Sequence, residues 1–425
     1  MQIHEKGTHH YSNLALSIFS PNNNLPRHRW FSLKEGFSED LVGRAIDAFG
    51  GQRRLRLLDP FAGSGTSVVA AGRRGAAATA IEVNPFLHYA AMAKCAAPFP
   101  RTRDAQDLVN ITLAAFDREL PSPLEGQSTF TKTPGAEKWL FNRSVIRGYE
   151  AAAAVLAKSG SKLVPPLRVA LLGSLMDCCN ARRDGKCLRY KKNWQQLGLD
   201  SSHVAESFRR RSMCVLEDLA DTSFSIGGLS VVEGDCRLAL KTLRAREFDL
   251  VVTSPPYLNS FDYSDVYRPE LFAGRFVRSN DDLRQIRLRT IRSHVQVAWK
   301  LEARRLPSGL ISPIVRELGT KTLWDHRLPS MVKTYFIDMA DVVYQLHRVV
   351  RPGGEAWIVV STSAYAGIEI PVDLILADIA GRSGWKVREM YVLRSLRASG
   401  QHFSKHLPPG ASPPLRESLL LFRRR

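Results

Sequence analysis

Leu55-Arg56-Leu57-Leu58-Asp59-Pro60-Phe61-Ala62-Gly63-Ser64-Gly65-Thr66 decides how this chain folds. A short apolar strand ends on an acid, a glycine-bearing turn follows, and an Ala- and Val-rich helix begins at Ser67. Glycines at such a turn let the backbone bend sharply and approach a ligand closely. A second strand, Ala77 to Ile81, ends at Glu82, and a helix runs from about Pro85 to Cys95. This β-α-β-α alternation opens a parallel, doubly wound α/β sheet.

The alternation breaks twice. From 101 to 225 the chain reads as helical and loop-like, with basic clusters, and from 266 to 330 it is again irregular and rich in arginine. Between and after these insertions the strand pattern returns at Leu229 to Val232, Phe248 to Thr253, Ala356 to Val360, Trp385 to Leu393 and Ser418 to Phe422. The expectation is one seven-stranded domain built from 20–100, 226–265 and 331–425, carrying two mainly helical basic insertions.

The loop after the fourth strand is Thr253-Ser254-Pro255-Pro256-Tyr257. Its prolines fix φ and remove two backbone donors, so the carbonyls are left as acceptors beside an aromatic ring. Such a loop suits holding a flat, amine-bearing ring. The glycine turn lacks the Gly-Lys-Ser/Thr of a P-loop, and position 68 is Val, so the full dinucleotide pattern is also absent. Instead, acids stand at three strand ends, Asp59, Glu82 and Asp235, the edge where open α/β sheets bind ligands. Glu82 is placed to accept from a ribose diol, and Asp235 from an adenine amino group.

Asp59 to Thr66 together with Thr253 to Tyr257 resembles the DNA amino-methyltransferase family, whose members move a methyl group from S-adenosyl-L-methionine to cytosine N4 or adenine N6. The resemblance covers about 20–95, 226–265 and 335–425. It implies a Rossmann-like methyltransferase sheet. Asp59, Phe61, Ala62, Gly63, Ser64, Gly65, Thr66, Glu82, Asp235 and Cys236 would hold the cofactor, and Ser254, Pro255, Pro256 and Tyr257 would be the catalytic loop. Pro26 to Val42, with Trp30, Phe31, Phe37 and Ser38, resembles the segment that closes over the methionine end, although Trp30 and Phe37 serve equally well as core anchors. Phe261, Asp262, Tyr263 and Asp265 either line a base pocket or start a packed helix. Ser before Pro-Pro-Tyr favours cytosine N4. The cofactor motif precedes the catalytic motif, however, the reverse of many Ser-Pro-Pro-Tyr enzymes, and adenine N6 stays open as the alternative. Carbon-5 methylation needs a nucleophilic Cys, usually after Pro, and none of the six cysteines follows Pro.

A formal net charge of +19 on 425 residues fits an anionic polymer partner, because each cation set against a phosphate releases counterions. Arg182, Arg183, Lys186, Arg189, Lys191 and Lys192 in the first insertion, and Arg287, Arg289 and Arg292 in the second, are the expected contacts to double-stranded DNA. The resemblance also admits a cognate restriction endonuclease as a partner. No Cys-x-x-Cys pair occurs, so no metal site is expected. No apolar run approaches the ~18 residues that span a bilayer, and reduced thiols point to a cytoplasmic location.

Overall fold

The computed structural model describes residues 8–10, 16–50, 55–127, 129–184, 187–299, 304–396 and 415–425. All seven expected strands lie in one sheet. They are β2 (Arg56–Asp59), β3 (Ala77–Glu82), β6 (Leu229–Glu233), β7 (Phe248–Thr253), β8 (Val350–Ser361), β11 (Trp385–Ser395) and β12 (Arg416–Arg424). An eighth, β1 (Thr8–His10), adds to the edge, giving the order β1-β11-β12-β8-β7-β2-β3-β6. Pairing is parallel from β6 through β3, β2 and β7 to β8, and β12 enters antiparallel between β8 and β11. Two small hairpins, β4–β5 (Ala181–Asp184 and Cys187–Tyr190) and β9–β10 (Ser363–Tyr365 and Ile368–Ile370), stand apart from it.

Side chains on these strands alternate between two cores, as the pleat requires. Leu57, Ala78, Ala80, Leu250, Val252 and Val359 pack against α1 (Glu39–Ala48) and α2 (Thr66–Arg73). Leu58, Ile81, Val251, Ile358 and Val360 face α8 (Cys236–Thr242), α13 (Leu328–Val349) and α14 (Val372–Arg382). The chain runs β2, β3, β6 in one direction and then crosses back to place β7 on the other side of β2. The strand order therefore reverses between β2 and β7, where a crevice opens at the carboxyl ends of the strands.

The first insertion holds α4 (Arg103–Ala115), α5 (Arg143–Lys158), α6 (Val164–Asp177) and α7 (Ser201–Leu219). The second holds α9 (Tyr263–Val266), α10 (Arg268–Ala273), α11 (Asn280–Arg289) and α12 (Ile311–Gly319). They are not separate appendages. Phe141, Leu171 and Phe208 of the first, Tyr267, Leu271 and Ile286 of the second, Phe86 of α3 (Pro85–Lys94), and Trp30 and Phe31 share one core. The helix α13 starts at Leu328, with Pro329 in its first turn.

The N-terminal segment is pinned by polar bonds that aim it at the crevice. Asp218 of α7 accepts from the Arg27 backbone N–H at 2.7 Å and from Trp30 Nε1 at 2.8 Å. Lys94 Nζ donates to the Phe31 carbonyl at 2.8 Å, and burial pulls this lysine down to about 7. Leu33 to Phe37 are thereby delivered over the glycine turn. Among the described residues no helix is long and apolar enough to cross a membrane.

Candidate active site

The site is built at the ends of β2 and β7. Asp59 is fully buried at the end of β2 and accepts three bonds: from the Phe61 N–H at 3.0 Å, Ser67 Oγ at 2.6 Å and Thr253 Oγ1 at 2.6 Å. One carboxylate thus shapes the glycine turn and ties it to the Ser-Pro-Pro-Tyr loop. Burial raises its pKa, and the three donors oppose that rise. Gly63 and Gly65 take φ of 53° and 87°, the left-handed region where a side chain is strained. A Cβ on Gly63 would lie 2.4 Å from Leu33 Cδ2.

At the end of β3, Glu82 accepts from the Gly63 N–H and the Asn84 N–H, each at 2.8 Å. Burial drives its carboxyl up to about 7, despite these donors. Asn84 in turn caps α3 through the Phe86 N–H at 3.0 Å. The glycine turn, Glu82 and the start of α3 are therefore one hydrogen-bonded unit.

Across the crevice, the Ser-Pro-Pro-Tyr loop is held along its length. Tyr335 Oη donates to the Pro256 carbonyl at 3.0 Å, and Tyr257 Oη to Glu417 Oε1 at 2.9 Å. Ser363 Oγ and Tyr365 Oη, the latter at 3.1 Å, donate to the Leu258 carbonyl. Burial and the Glu417 charge keep the Tyr257 phenol far above its usual range, so it is a neutral donor.

A single cavity of about 1090 Å³, including its open mouth, lies between the two loops. Leu33, Glu35 and Phe37 roof it, and Phe61, Ala62, Gly63 and Thr66 form one wall with Glu82 and Asn84. Gly234 and Cys236 close one end, Ser254 to Tyr257 form the opposite wall, and Asp262, Tyr263, Arg289 and His294 rim it.

Not every expected cofactor residue reaches this space. Asp59, Ser64 and Gly65 support the turn from behind; a Cβ on Gly65 would meet Ala91 at 2.8 Å. Asp235 is engaged within the protein. Its carboxylate caps α8 through the Arg237 N–H at 2.9 Å and pairs with the Arg237 guanidinium at 2.7 Å. Arg237 continues to Asp338 at 3.0 Å, so Asp235 belongs to a structural charge network, and Gly234 and Cys236 line the cavity instead.

The basic residues divide as sharply. Arg182 and Lys192 are exposed on and beside the β4–β5 hairpin, and Arg289 is exposed at the cavity mouth. Arg189 is exposed but paired with Asp184 at 2.6 Å, and Lys191 Nζ donates to the Asp177 carbonyl at 3.1 Å. Lys186 lies outside the described residues. Arg183 turns inward, paired with buried Glu270 and lying 4.5 Å from the Tyr267 ring centroid. Arg292 is likewise buried, bonded to Asp338 at 2.7 Å, and Arg287 is half-buried against Asp262 at 2.6 Å.

Four residues with no sequence signal complete the site. Glu35 accepts from Tyr267 Oη at 2.8 Å, and its other oxygen is buried without a partner. Burial raises its pKa. His294 is 2 % exposed, sits 3.2 Å from Thr290 Oγ1 and is held neutral by burial. Tyr335 and Glu417 brace the Ser-Pro-Pro-Tyr loop from α13 and β12. Glu35 falls within Pro26 to Val42 with no motif of its own, and the other three lie in no recognisable local pattern.

No protein-family model matches this chain. It is 28% identical over 414 residues to the Type II methyltransferase M.AvaI of Nostoc sp., covering 91% of this chain and 85% of that protein. It is 25% identical over 464 residues to the Type II methyltransferase M.BsoBI of Geobacillus stearothermophilus, covering 93% and 86%. Among solved structures, a TehB-like SAM-dependent methyltransferase of Corynebacterium glutamicum matches 90% of this chain and 87% of its own, at 10% identity and a TM-score of 0.28. The chain is thus similar, over nearly its whole length, to proteins named as Type II methyltransferases.

Proposed function

We propose that this chain is an S-adenosyl-L-methionine-dependent DNA methyltransferase that acts on the exocyclic N4 amine of cytosine in duplex DNA. The observation that carries the reading is the single cavity walled by the glycine turn of β2 and the Ser-Pro-Pro-Tyr loop of β7. The residues on the first wall fit the cofactor. Glu82 offers a buried carboxyl to the ribose, and Phe61, Gly63 and Thr66 border the room for the methionine part. When bound there, the cofactor supplies an electrophilic methyl group.

This chain's own residues then present the nucleophile. An exocyclic amine donates its lone pair into the ring and attacks poorly. Acceptance of its hydrogens by Ser254 Oγ and the Pro255 carbonyl favours a more tetrahedral nitrogen, and stacking on Tyr257 fixes the ring plane. Holding both partners in an attack geometry lowers the barrier. The base has to leave the duplex, at a cost of a few kcal/mol, which a snug, aromatic-walled pocket offsets. The segments 101–225 and 266–330 are proposed to hold the duplex, with Arg182, Arg189, Lys192 and Arg289 the exposed members of the expected contacts. Similarity to Type II methyltransferases supports a restriction–modification setting with a cognate endonuclease.

Incubation with labelled cofactor and duplex DNA, followed by nucleoside mass spectrometry, tests this directly. N4-methylcytosine is expected, and Ser254→Ala should abolish it. N6-methyladenine alone would replace the target base with the adenine alternative. Transfer to tRNA but not to duplex DNA would overturn the DNA reading.

A further inference from the structure

We propose that Glu417, on β12, is a positioning residue for Tyr257 and so sets the face on which the target base stacks. The inference rests on the methyl-transfer reading of the Ser-Pro-Pro-Tyr loop. Glu417 lies 160 residues from Tyr257 in sequence, yet accepts its phenol at 2.9 Å. The same carboxylate takes Arg394 Nε at 2.5 Å and Nη2 at 3.0 Å from the neighbouring strand. Register explains the meeting. Glu417 pairs with Ser361 at the end of β8 and with Arg394 on β11, which puts its side chain level with the carboxyl ends of the parallel strands.

Glu417 is 2 % exposed, so its charge would be costly there without strong partners. Arg394 neutralises it, and Tyr257 fills the remaining acceptor site. An ion pair alone would account for Arg394 and Glu417 but not for a phenol brought to the same oxygen. A tyrosine ring turns about two side-chain bonds, and anchoring its far end removes that freedom. Tyr335, on the Pro256 carbonyl, fixes the loop backbone, whereas Glu417 fixes the ring. The antiparallel closing strand, which carries no sequence motif, thereby takes part in orienting the substrate.

The test compares Glu417→Gln, Tyr257→Phe and the double variant on duplex DNA, with Ser254→Ala as the reference for the loop itself. Each single variant should lower kcat by about tenfold, the scale of small misplacements, with KM for the cofactor unchanged. With 2-aminopurine at the target position, both should show brighter emission in the complex, because an untethered ring stacks less. The double variant should match Tyr257→Phe to within about twofold, since without the phenol Glu417 has no bond to the ring left to lose. Tyr257→Phe leaves the Glu417–Arg394 pair in place, so it remains informative if Glu417→Gln folds poorly. Full kcat and unchanged emission in Tyr257→Phe, or multiplicative losses in the double variant, would overturn the proposal. If Ser254→Ala retained activity, the reading of the loop would fail; if it lost activity while the other variants did not, only the role of Glu417 would fail.

Discussion

If Glu82 holds the cofactor ribose as proposed, cofactor binding is pH-sensitive with a defined sign. Burial raises its carboxyl to about 7, with the nearby Asp59 charge adding to the rise and the Gly63 and Asn84 N–H groups opposing it. A ribose diol donating to both oxygens selects the ionised form. With that pKa, about one eleventh of the carboxyl is ionised at pH 6 and about ten elevenths at pH 8. Cofactor affinity should therefore rise about tenfold between these pH values, with release of about 0.9 proton at pH 6 falling to about 0.1 at pH 8. Titration calorimetry in buffers of different ionisation enthalpy reads both quantities. Glu82→Gln should bind weakly and lose the dependence, which separates Glu82 from buried Lys94, itself near 7. The stability of the ligand-free protein should move the other way. The folded pKa lies above the ordinary carboxyl value, so this group weakens the fold as pH rises from about 4.5 through 7, by on the order of 3 kcal/mol. The cofactor should consequently raise Tm more at pH 8 than at pH 6. Equal affinity at pH 6 and 8, or the same slope in Glu82→Gln, would refute the reasoning.

Thr253→Val removes the bond joining the two loops while keeping their shape. It should lower the denaturation free energy by about 1–2 kcal/mol and reduce kcat; an unchanged midpoint and kcat would deny the link through Asp59. Gly63→Ala places a methyl group against Leu33 at a positive φ, and cofactor binding measured by calorimetry should fall by about fivefold to a hundredfold, since strain of this kind costs of order 1–3 kcal/mol. Arg292→Ala strips Asp338 of a buried partner and should destabilise the fold by about 3–5 kcal/mol in chemical denaturation. Arg289→Ala should leave stability alone and flatten the salt dependence of DNA binding by about 0.9 in slope. A folded, full-stability Arg292→Ala with a flattened salt slope would reverse the two assignments.

The parts legible in the sequence are those whose partners lie close along the chain. Strand β2, the glycine turn and α2 are contiguous, and Thr253 to Tyr257 states its own backbone geometry through two prolines. The seven strands follow from apolar runs that alternate between two cores. What stayed hidden depends on distant pairing. Asp235 looks free at a strand end, but Arg237 takes it as soon as α8 turns and passes the charge to Asp338, 101 residues from Arg237. Arg183 meets Glu270 across 87 residues, and β1 finds β11 from the far end of the chain. Glu35, His294 and Glu417 are single polar residues whose neighbours in sequence are unremarkable, so only the fold gives them a role.

These hidden pairings change what the +19 net charge means. Taken as a sum, the excess suggests that the arginines of both insertions face DNA. Yet Arg183 and Arg292 tie those insertions inward, one to α10 and the other to α13, and Arg287 holds Asp262 at the rim of the cavity. Arginine suits this use because its planar guanidinium bonds a carboxylate through two N–H groups while its stem packs on aromatic rings. A buried pair of this kind adds little net stability over apolar residues but opposes any shift in register. The two insertions share a core with the N-terminal roof of the cavity, so a duplex resting on the outer cations would be registered against the Ser-Pro-Pro-Tyr loop by the inner ones. On the proposed DNA reading, the inward arginines would serve the same end as the outward ones: the outer set would meet phosphate, and the inner set would fix how far that phosphate lies from Tyr257.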